Sequence, residues 1–343
     1  MIPTLFGVAV ITFGLVKLAP GSVESMKFAA SADSGGAKAS AEGGTIEKFR
    51  ARYLLDQPLW KQFVHYMGPF NLGDDGHTWF GGDGADPWNG LLALDLGEEL
   101  LRPGERVGPE LWKRVTQVTL PLALISIFLS YLLALPLGIY AAVRQGSLLE
   151  ISSTLLLFLL YAVPVFWAGL MLQLAFGKTG FDWLPVLGLH DADADTMTRT
   201  EYLWDMAKHM ILPVVCYTYG GLTYLSRQMR VGVVDAITAD YVRTARAKGL
   251  SEKVVILKHV LRNSMIPIIT LLASILPILV GGSIIIEVIF DLQGMGNYAY
   301  TGLLNREPNV IIATTLFVAV MTMLGILLSD IAYALVDPRI RYD

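Results

Sequence analysis

No charged side chain occurs between Val118 and Val143. An apolar run of that length restricts the fold more than anything else in the sequence, because about 20 apolar residues in helical form cross the hydrocarbon core of a bilayer. Comparable blocks lie near residues 2–19, 151–176, 210–229, 265–290 and 310–336. The sequence therefore predicts an all-α, polytopic membrane protein with six transmembrane helices. Composition agrees: the 343 residues are 54% hydrophobic and 16% charged, against about a quarter charged in an ordinary soluble chain, and the mean hydropathy is +0.52. A formal net charge of −4 argues against nucleic acid as a partner, since a phosphate-tracking domain needs a broad basic face. The single cysteine, Cys216, leaves no intramolecular disulfide and no cysteine-based zinc cluster.

The first block has no basic n-region and carries Lys17 at its far end, so it reads as a retained anchor rather than a secretory signal. Because the chain opens directly in apolar sequence, a basic leader upstream is expected. Short loops rich in Lys and Arg mark the inner side of a membrane. The connection between the fourth and fifth spans holds Arg230, Arg243, Arg246, Lys248, Lys253, Lys258 and Arg262. Arg144 follows the second span and Arg339 and Arg341 follow the sixth, so these segments and both termini are expected in the cytoplasm. The predicted division is a first helix over 1–19, an extracytoplasmic region over 20–114, a core of five helices over 115–336 containing a cytoplasmic loop at 230–264, and a cytoplasmic tail at 337–343. Within 20–114, "AASADSGGAKASAEGG" has too little apolar content to order itself. "FRARYLLDQPLWKQFVHYMG" has helical spacing with Tyr53, Leu54, Trp60, Phe63 and Val64 as packing residues, and Asn71 to Asn89 reads as loop.

Pro136, Pro164, Pro213, Pro267 and Pro277 fall within or beside the spans and predict kinks, because proline removes a helix hydrogen bond and clashes with the preceding turn. Ionisable groups at membrane depth are the default functional candidates. Glu287 and Asp330 stand out, each near a span end where a solvated or interfacial carboxylate is the simpler account, with Glu287 the weak candidate for a translocation path. Lys17 is expected to snorkel to the headgroups.

Catalytic signatures fail in turn. In "HDADADTMTRTE", Asp191, Asp193 and Asp195 alternate as in a calcium loop, but the sharp-turn position is Thr196 and the twelfth is Tyr202, so a solvated acidic loop is expected. His65, His77, His190, His209 and His259 form no i, i+4 pair, and no metal site is predicted. There is no GxxxxGK[ST] phosphate loop and no Gly-x-Ser-x-Gly elbow, and a membrane-embedded hydrolase lacks paired aspartates or a Ser/His arrangement within the spans. The sequence predicts no enzyme and no cofactor bound by this chain.

The basic segment has a pattern of its own. Val234, Ile237, Tyr241 and Ala245 recur on one helical face. Gly249 follows as a terminator able to adopt positive φ, and Ser251 and Glu252 suit the start of a second helix lined by Val254, Leu257 and Leu261. Pinned between two spans, the segment suits a docking element better than a DNA reader. "DYVRTARAKGLSEKVVILKHVLRNSMIPIIT" resembles the coupling (EAA) loop of permease subunits of bacterial ABC importers, in the dipeptide/oligopeptide branch. The Glu-Ala-Ala positions are Arg243, Thr244 and Ala245, followed by Gly249; Arg243 departs from the general pattern and is similar to the branch's usual wording. "LDQPLW", "LPLGIYAAVRQGS", "PVFWAGL", "WLPVLG", "IIIEVIFDLQGMGNYAY" and "DPRIRY" extend the resemblance over most of the chain.

The resemblance implies the type I (MetI-like) permease arrangement in the bacterial inner membrane. Its implied partners are a second homologous permease, two ATPase subunits carrying ATP and Mg, an external solute-binding protein and membrane lipid. It also implies that Asp240, Tyr241, Arg243, Thr244, Ala245, Lys248, Gly249 and Leu250 contact the ATPase, with Arg144, Gln145, Gly146 and Ser147 as a second contact. Peptides are the implied cargo, with nickel, glutathione or oligosaccharide as alternatives on the same machinery. An ion-coupled secondary carrier using Glu287 or Asp330 is the alternative of a different class.

Overall fold

The computed structural model describes residues 2–18, 54, 56–68, 90–99, 101–102, 104–273, 275, 279 and 281–336, with backbone alone at 266, 270, 272–273, 329–330 and 332–336. Expectations for the Gly/Ala/Ser-rich stretch, Tyr53, residues 71–89, Pro277, the Asp330 carboxylate and the tail 337–343 lie outside the described residues. Helices stand at each of the six predicted spans, and among the described residues the only β pairing is an isolated bridge between Glu98 and Arg106. Among the described residues, Val107–Val143 and Pro308–Leu328 are by length and apolarity alone sufficient to cross a bilayer, and a bent pair of helices makes a third if the pair is one span. The chain divides into two compact units, residues 1–114 with 298–320, and residues 115–297 with 321–343.

In the first unit, Ile2–Leu18 is helical, and its Phe13 packs with Tyr66 and Ile312 in one apolar cluster. The Lys17 ammonium lies 5.7 Å from the Phe13 ring centroid. Helix Leu59–Met67 is shorter than its sequence spacing suggests and turns a different face inward. Gln62, His65 and Tyr66 are buried while Trp60 and Val64 are exposed; Pro58 sets the helix start, leaving Leu54 outside it with φ +51°. A polar network organises the rest of the unit. Tyr298 donates to Glu99, the Arg114 guanidinium sits 4.6 Å from the Tyr298 ring centroid, Leu101 N donates to Glu307 Oε1 at 2.6 Å, and Asn309 Nδ2 donates to the Glu98 carbonyl at 2.8 Å. Burial, together with the Glu99 carboxylate, pushes the Tyr298 phenol up, so it stays a donor.

In the second unit, helix Leu120–Val143 packs along helix Arg199–Ile237. Ser126, Ala134 and Ala142 are buried at intervals of eight, with Ser130 and Gly138 between them. This small residue at every fourth position lets two backbones approach closely, the means by which helices associate where lipid removes the hydrophobic drive. Ser130 Oγ donates to the Thr218 carbonyl at 3.0 Å. A Cβ on Gly138 would sit 2.5 Å from the Ser226 carbonyl oxygen. Span 210–229 proves to be the middle of a 39-residue helix that starts eleven residues earlier, at Arg199, behind a Thr198/Glu201 capping box. Its polar first turns hid that start from a hydropathy reading.

The third span bends at Pro164, as the proline predicts. It is broken into Leu148–Ala162 and Val165–Phe176, bent by 97°. The residue before a proline is pushed to extended backbone, and Val163 has φ −81° and ψ 120° ahead of Pro164. The Tyr219 hydroxyl donates to the freed Val163 carbonyl at 3.0 Å, which makes the break tolerable in an apolar setting. Pro136, Pro213 and Pro267, by contrast, sit inside uninterrupted helices.

Candidate functional site

The long helix ends at Ile237, and a separate helix, Asp240–Ala247, begins after Thr238 and Ala239. This corrects the continuous face inferred from Val234, Ile237, Tyr241 and Ala245. The break rotates the second helix, so that Val242 and Ala245 are the buried pair and Tyr241 is 40% exposed. Val242 and Ala245 join Ala142, Met229, Val233, Ala236, Val255, Val260 and Ile268 in one apolar cluster. Full burial of a valine contributes about 1.5–3 kcal/mol, enough to hold this short helix against the unit. Ala245 is thus spent internally, whereas Asp240, Tyr241, Arg243, Thr244, Lys248, Gly249 and Leu250 are all exposed.

Gly249 has φ +77°, the left-handed region that favours glycine, and its N–H donates to the Arg246 carbonyl at 2.9 Å. Nothing lies within 4 Å of a Cβ built there, so the requirement is conformational rather than steric. The turn is clamped from outside: the Arg246 guanidinium donates to both Glu252 oxygens, at 2.6 and 3.2 Å. That hydrogen bond holds the Glu252 carboxyl below the usual carboxylate range. Ser251 makes no side-chain cap. The next helix opens with Glu252–Val254 and a π-turn over Val255–Val260 before Leu261–Ala273. The i→i+5 winding buries Val255 and Val260 and leaves Val254 and Leu257 exposed, against the lining expected from a regular 3.6-residue period, while Leu261 packs against the cluster as expected.

Arg144, Gln145 and Gly146 form the exposed connection after Val143, with Gly146 at φ +77°. Ser147 caps the following helix, its Oγ accepting from Glu150 N at 3.2 Å. Ala142, at the base of this loop, belongs to the same cluster as Val242 and Ala245, and Glu150 pairs with Arg230 at 3.3 Å. Both predicted coupling contacts therefore share one end of the second unit.

Glu287 lies away from that end and does not meet the expectation of a solvated or interfacial carboxylate. It is fully buried. Its Oε1 accepts from Thr119 Oγ1 at 3.0 Å and its Oε2 from Asn297 N at 2.9 Å, while Thr119 Oγ1 accepts from Met295 N at 2.8 Å. The carboxylate caps the first turn of Met295–Leu304, where unpaired amides favour an anion. Gly294 and Gly296 permit the approach, since a Cβ on Gly294 would fall 2.5 Å from Glu287 Oε2. A cavity of about 480 Å³ opens between the small-residue stretch of the long helix and the segment near Ser283, lined by Ser130, Tyr131, Tyr217, Gly220, Gly221 and Tyr224 among others. No residue there had been assigned from sequence. Sequence reasoning also passed over Asp205 and His209, whose i, i+4 spacing places them on one face of the long helix.

The described residues are helical but for one isolated bridge and present an exposed, basic helix–glycine–helix element on a well-packed base; the class, a component of a transport system, follows from the family match. Residues 134–342 match the sequence profile of the binding-protein-dependent transport system inner membrane component family, and the chain belongs to that family. It is 30% identical to the oligopeptide transport system permease protein AppB of Bacillus subtilis, covering 99% of this chain and 96% of that one. It is 32% identical to the inner membrane ABC transporter permease protein YejB of Escherichia coli O157:H7, covering 100% and 96%. To the dipeptide transport system permease protein DppB of Escherichia coli K12 it is 30% identical, again over 100% and 96%. A solved inward-facing structure of the MetNI methionine ABC transporter shares the fold with TM-score 0.50 and 16% identity, over 66% of this chain and 96% of that chain. The protein is accordingly a multi-pass component of a bacterial inner membrane.

Proposed function

We propose that this chain is a permease subunit of an ATP-driven importer, forming half of a translocation path for peptides delivered by an external solute-binding protein. A second, homologous permease completes the path, and two partner ATPase subunits bind ATP and Mg. The carrying observation is the exposed segment Asp240–Leu250, fixed on the Val242/Ala245 base beside the loop Arg144–Ser147. Force applied there passes directly into helices Leu120–Val143 and Arg199–Ile237, which share that base. In this reading the coupling end and both termini face the cytoplasm, in keeping with the inside-positive bias of Arg and Lys. The printed names of the dipeptide and oligopeptide relatives support peptides as cargo. Glu287 acts as a helix cap rather than an ion-coupling group, which argues against a secondary carrier.

The test is reconstitution of the complete complex in proteoliposomes with its binding protein. Di- and oligopeptides should stimulate ATP hydrolysis, and uptake should continue when a protonophore is added. Uptake abolished by the protonophore, or purification in mild detergent with neither an ATPase nor a second permease attached, would overturn the proposal.

A further inference from the structure

At the other end of the long helix, the acidic loop read as simply solvated meets the helix at a group of metal-ligating side chains. One ligand atom from each of Asp191, Asp205 and His209 lies within 4.8 Å of the others. Asp205 and His209 are buried and Asp191 is exposed. Of the alternating aspartates 191, 193 and 195, only Asp191 joins the group.

The hydrogen bonds fix how the histidine is used. His209 Nδ1 is 3.0 Å from the Asp205 carbonyl, to which it donates, and 3.3 Å from Asp205 Oδ1. A donor at Nδ1 leaves the lone pair on Nε2, as in metal-bound histidines whose second nitrogen donates to a carbonyl. That Nε2 faces Asp191 Oδ1, another acceptor, at 3.8 Å, on a ring with 1% of its side chain exposed. With the ring neutral, a buried imidazole lone pair facing the oxygen of an exposed carboxylate (64% of the Asp191 side chain) is opposed by a second acceptor, and a cation between the two relieves the repulsion. Bonds of about 2.0–2.2 Å to nitrogen and oxygen require the two atoms to close by only a few tenths of an ångström, and the Asp191 side chain is 64% exposed. Asp205 is held by outer contacts: its Oδ2 accepts from Asp191 N at 3.1 Å and lies 3.1 Å from His190 Nδ1. His190 in turn stacks on Tyr202, with centroids 3.9 Å apart, and its buried Nε2 has no partner among the described residues.

We propose that Asp191, Asp205 and His209 bind a first-row divalent metal ion of the zinc class, with His190 positioning Asp205. One imidazole and two carboxylates suit such an ion. They give too few oxygens for calcium, which takes six to eight. The ion ties the loop carrying Asp191 to the first turns of helix Arg199–Ile237, at the end opposite Asp240–Leu250.

The experiment uses the tag-free complex in detergent, stripped with a chelator and titrated with Zn²⁺, and with Co²⁺ as a spectroscopic probe. One equivalent per chain should bind, raising the unfolding temperature and giving the visible bands of a low-symmetry Co²⁺ site. Asp191→Ala, on an exposed residue whose loss leaves the fold intact, and His209→Ala should each weaken binding at least tenfold. His190→Phe should weaken it by about 10–100-fold, the usual effect of losing an outer partner, while retaining one equivalent. Binding unchanged in Asp191→Ala overturns the site. So does the absence of saturable Zn²⁺ or Co²⁺ binding to the wild type.

Discussion

Replacing Gly249 isolates the turn geometry from everything else at the coupling end. A side chain at φ +77° carries the left-handed penalty of roughly 1–2 kcal/mol, and no steric term is added because a Cβ there meets nothing within 4 Å. Since about 1.4 kcal/mol is tenfold in an equilibrium, Gly249→Ala lowers the population of the native turn about tenfold relative to competing conformations. Asn tolerates this region better than other non-glycine residues, so Gly249→Asn should fall between wild type and Ala. Gly249→Trp adds bulk to the exposed face proposed to dock the ATPase. The assay is peptide taken up per ATP hydrolysed by the complete complex in proteoliposomes, with the amount of chain in the membrane and its unfolding midpoint as controls. The expected order is wild type, Asn, Ala, Trp, with Trp uncoupled while remaining in the membrane. Equal coupling by Ala and Asn, or normal uptake by Trp, would refute the role assigned to the turn.

Glu287→Ala strands the Asn297 amide and the Thr119 hydroxyl and should cost about 2–5 kcal/mol in detergent unfolding; an unmoved midpoint would deny the capping role. Gly138→Ala forces a Cβ to within 2.7 Å of Met229 Cβ and should destabilise by about 1–3 kcal/mol. Gly221→Ala, whose Cβ would come no closer than 3.6 Å to Ser130, should instead be neutral or stabilising by up to about 1 kcal/mol; the same sign for both would contradict the packing. Glu252 has a depressed carboxyl owing to Arg246, so its contribution is complete above the ordinary value of about 4.3 and is lost as pH falls through the lower folded value. The pair is exposed and contributes less than about 1 kcal/mol. Arg246→Ala should therefore flatten only the acid limb of a melting-temperature profile, and an unchanged limb would show that the clamp does not act in solution.

Apolar run length located the helices, because membrane crossing is a composition-dominated signal, and the inside-positive bias singled out the loop that carries the candidate contact. What escaped were features set by winding and by tertiary context. The break at Thr238 changes which face of Asp240–Ala247 turns inward, so that Val242, off the apolar repeat, is buried and Tyr241, on it, is exposed. The π-turn at Val255–Val260 put Val255 and Val260 inward in place of Val254 and Leu257, which no 3.6-residue template can anticipate. Glu287 looked interfacial because its acceptor role depends on Thr119, 168 positions away in sequence. The Asp205/His209 pair was visible as i, i+4 spacing, but its third member came from the loop. Ser126, Ser130, Ala134, Gly138 and Ala142 stand at every fourth position in plain view; their meaning needed the partner helix to be known.

The 39 residues of Arg199–Ile237 make a rod about 58 Å long at 1.5 Å per residue, nearly twice the roughly 30 Å of bilayer hydrocarbon. Pivoting such a rod about its midpoint by about 10° swings each tip through roughly 5 Å, close to one helical pitch. Under the proposed coupling, a modest push at its basic tip would be converted, without any bond inside the rod being remade, into an equal and opposite sweep at its other tip. Any ligand that stiffened the loop there would set how freely that sweep can occur.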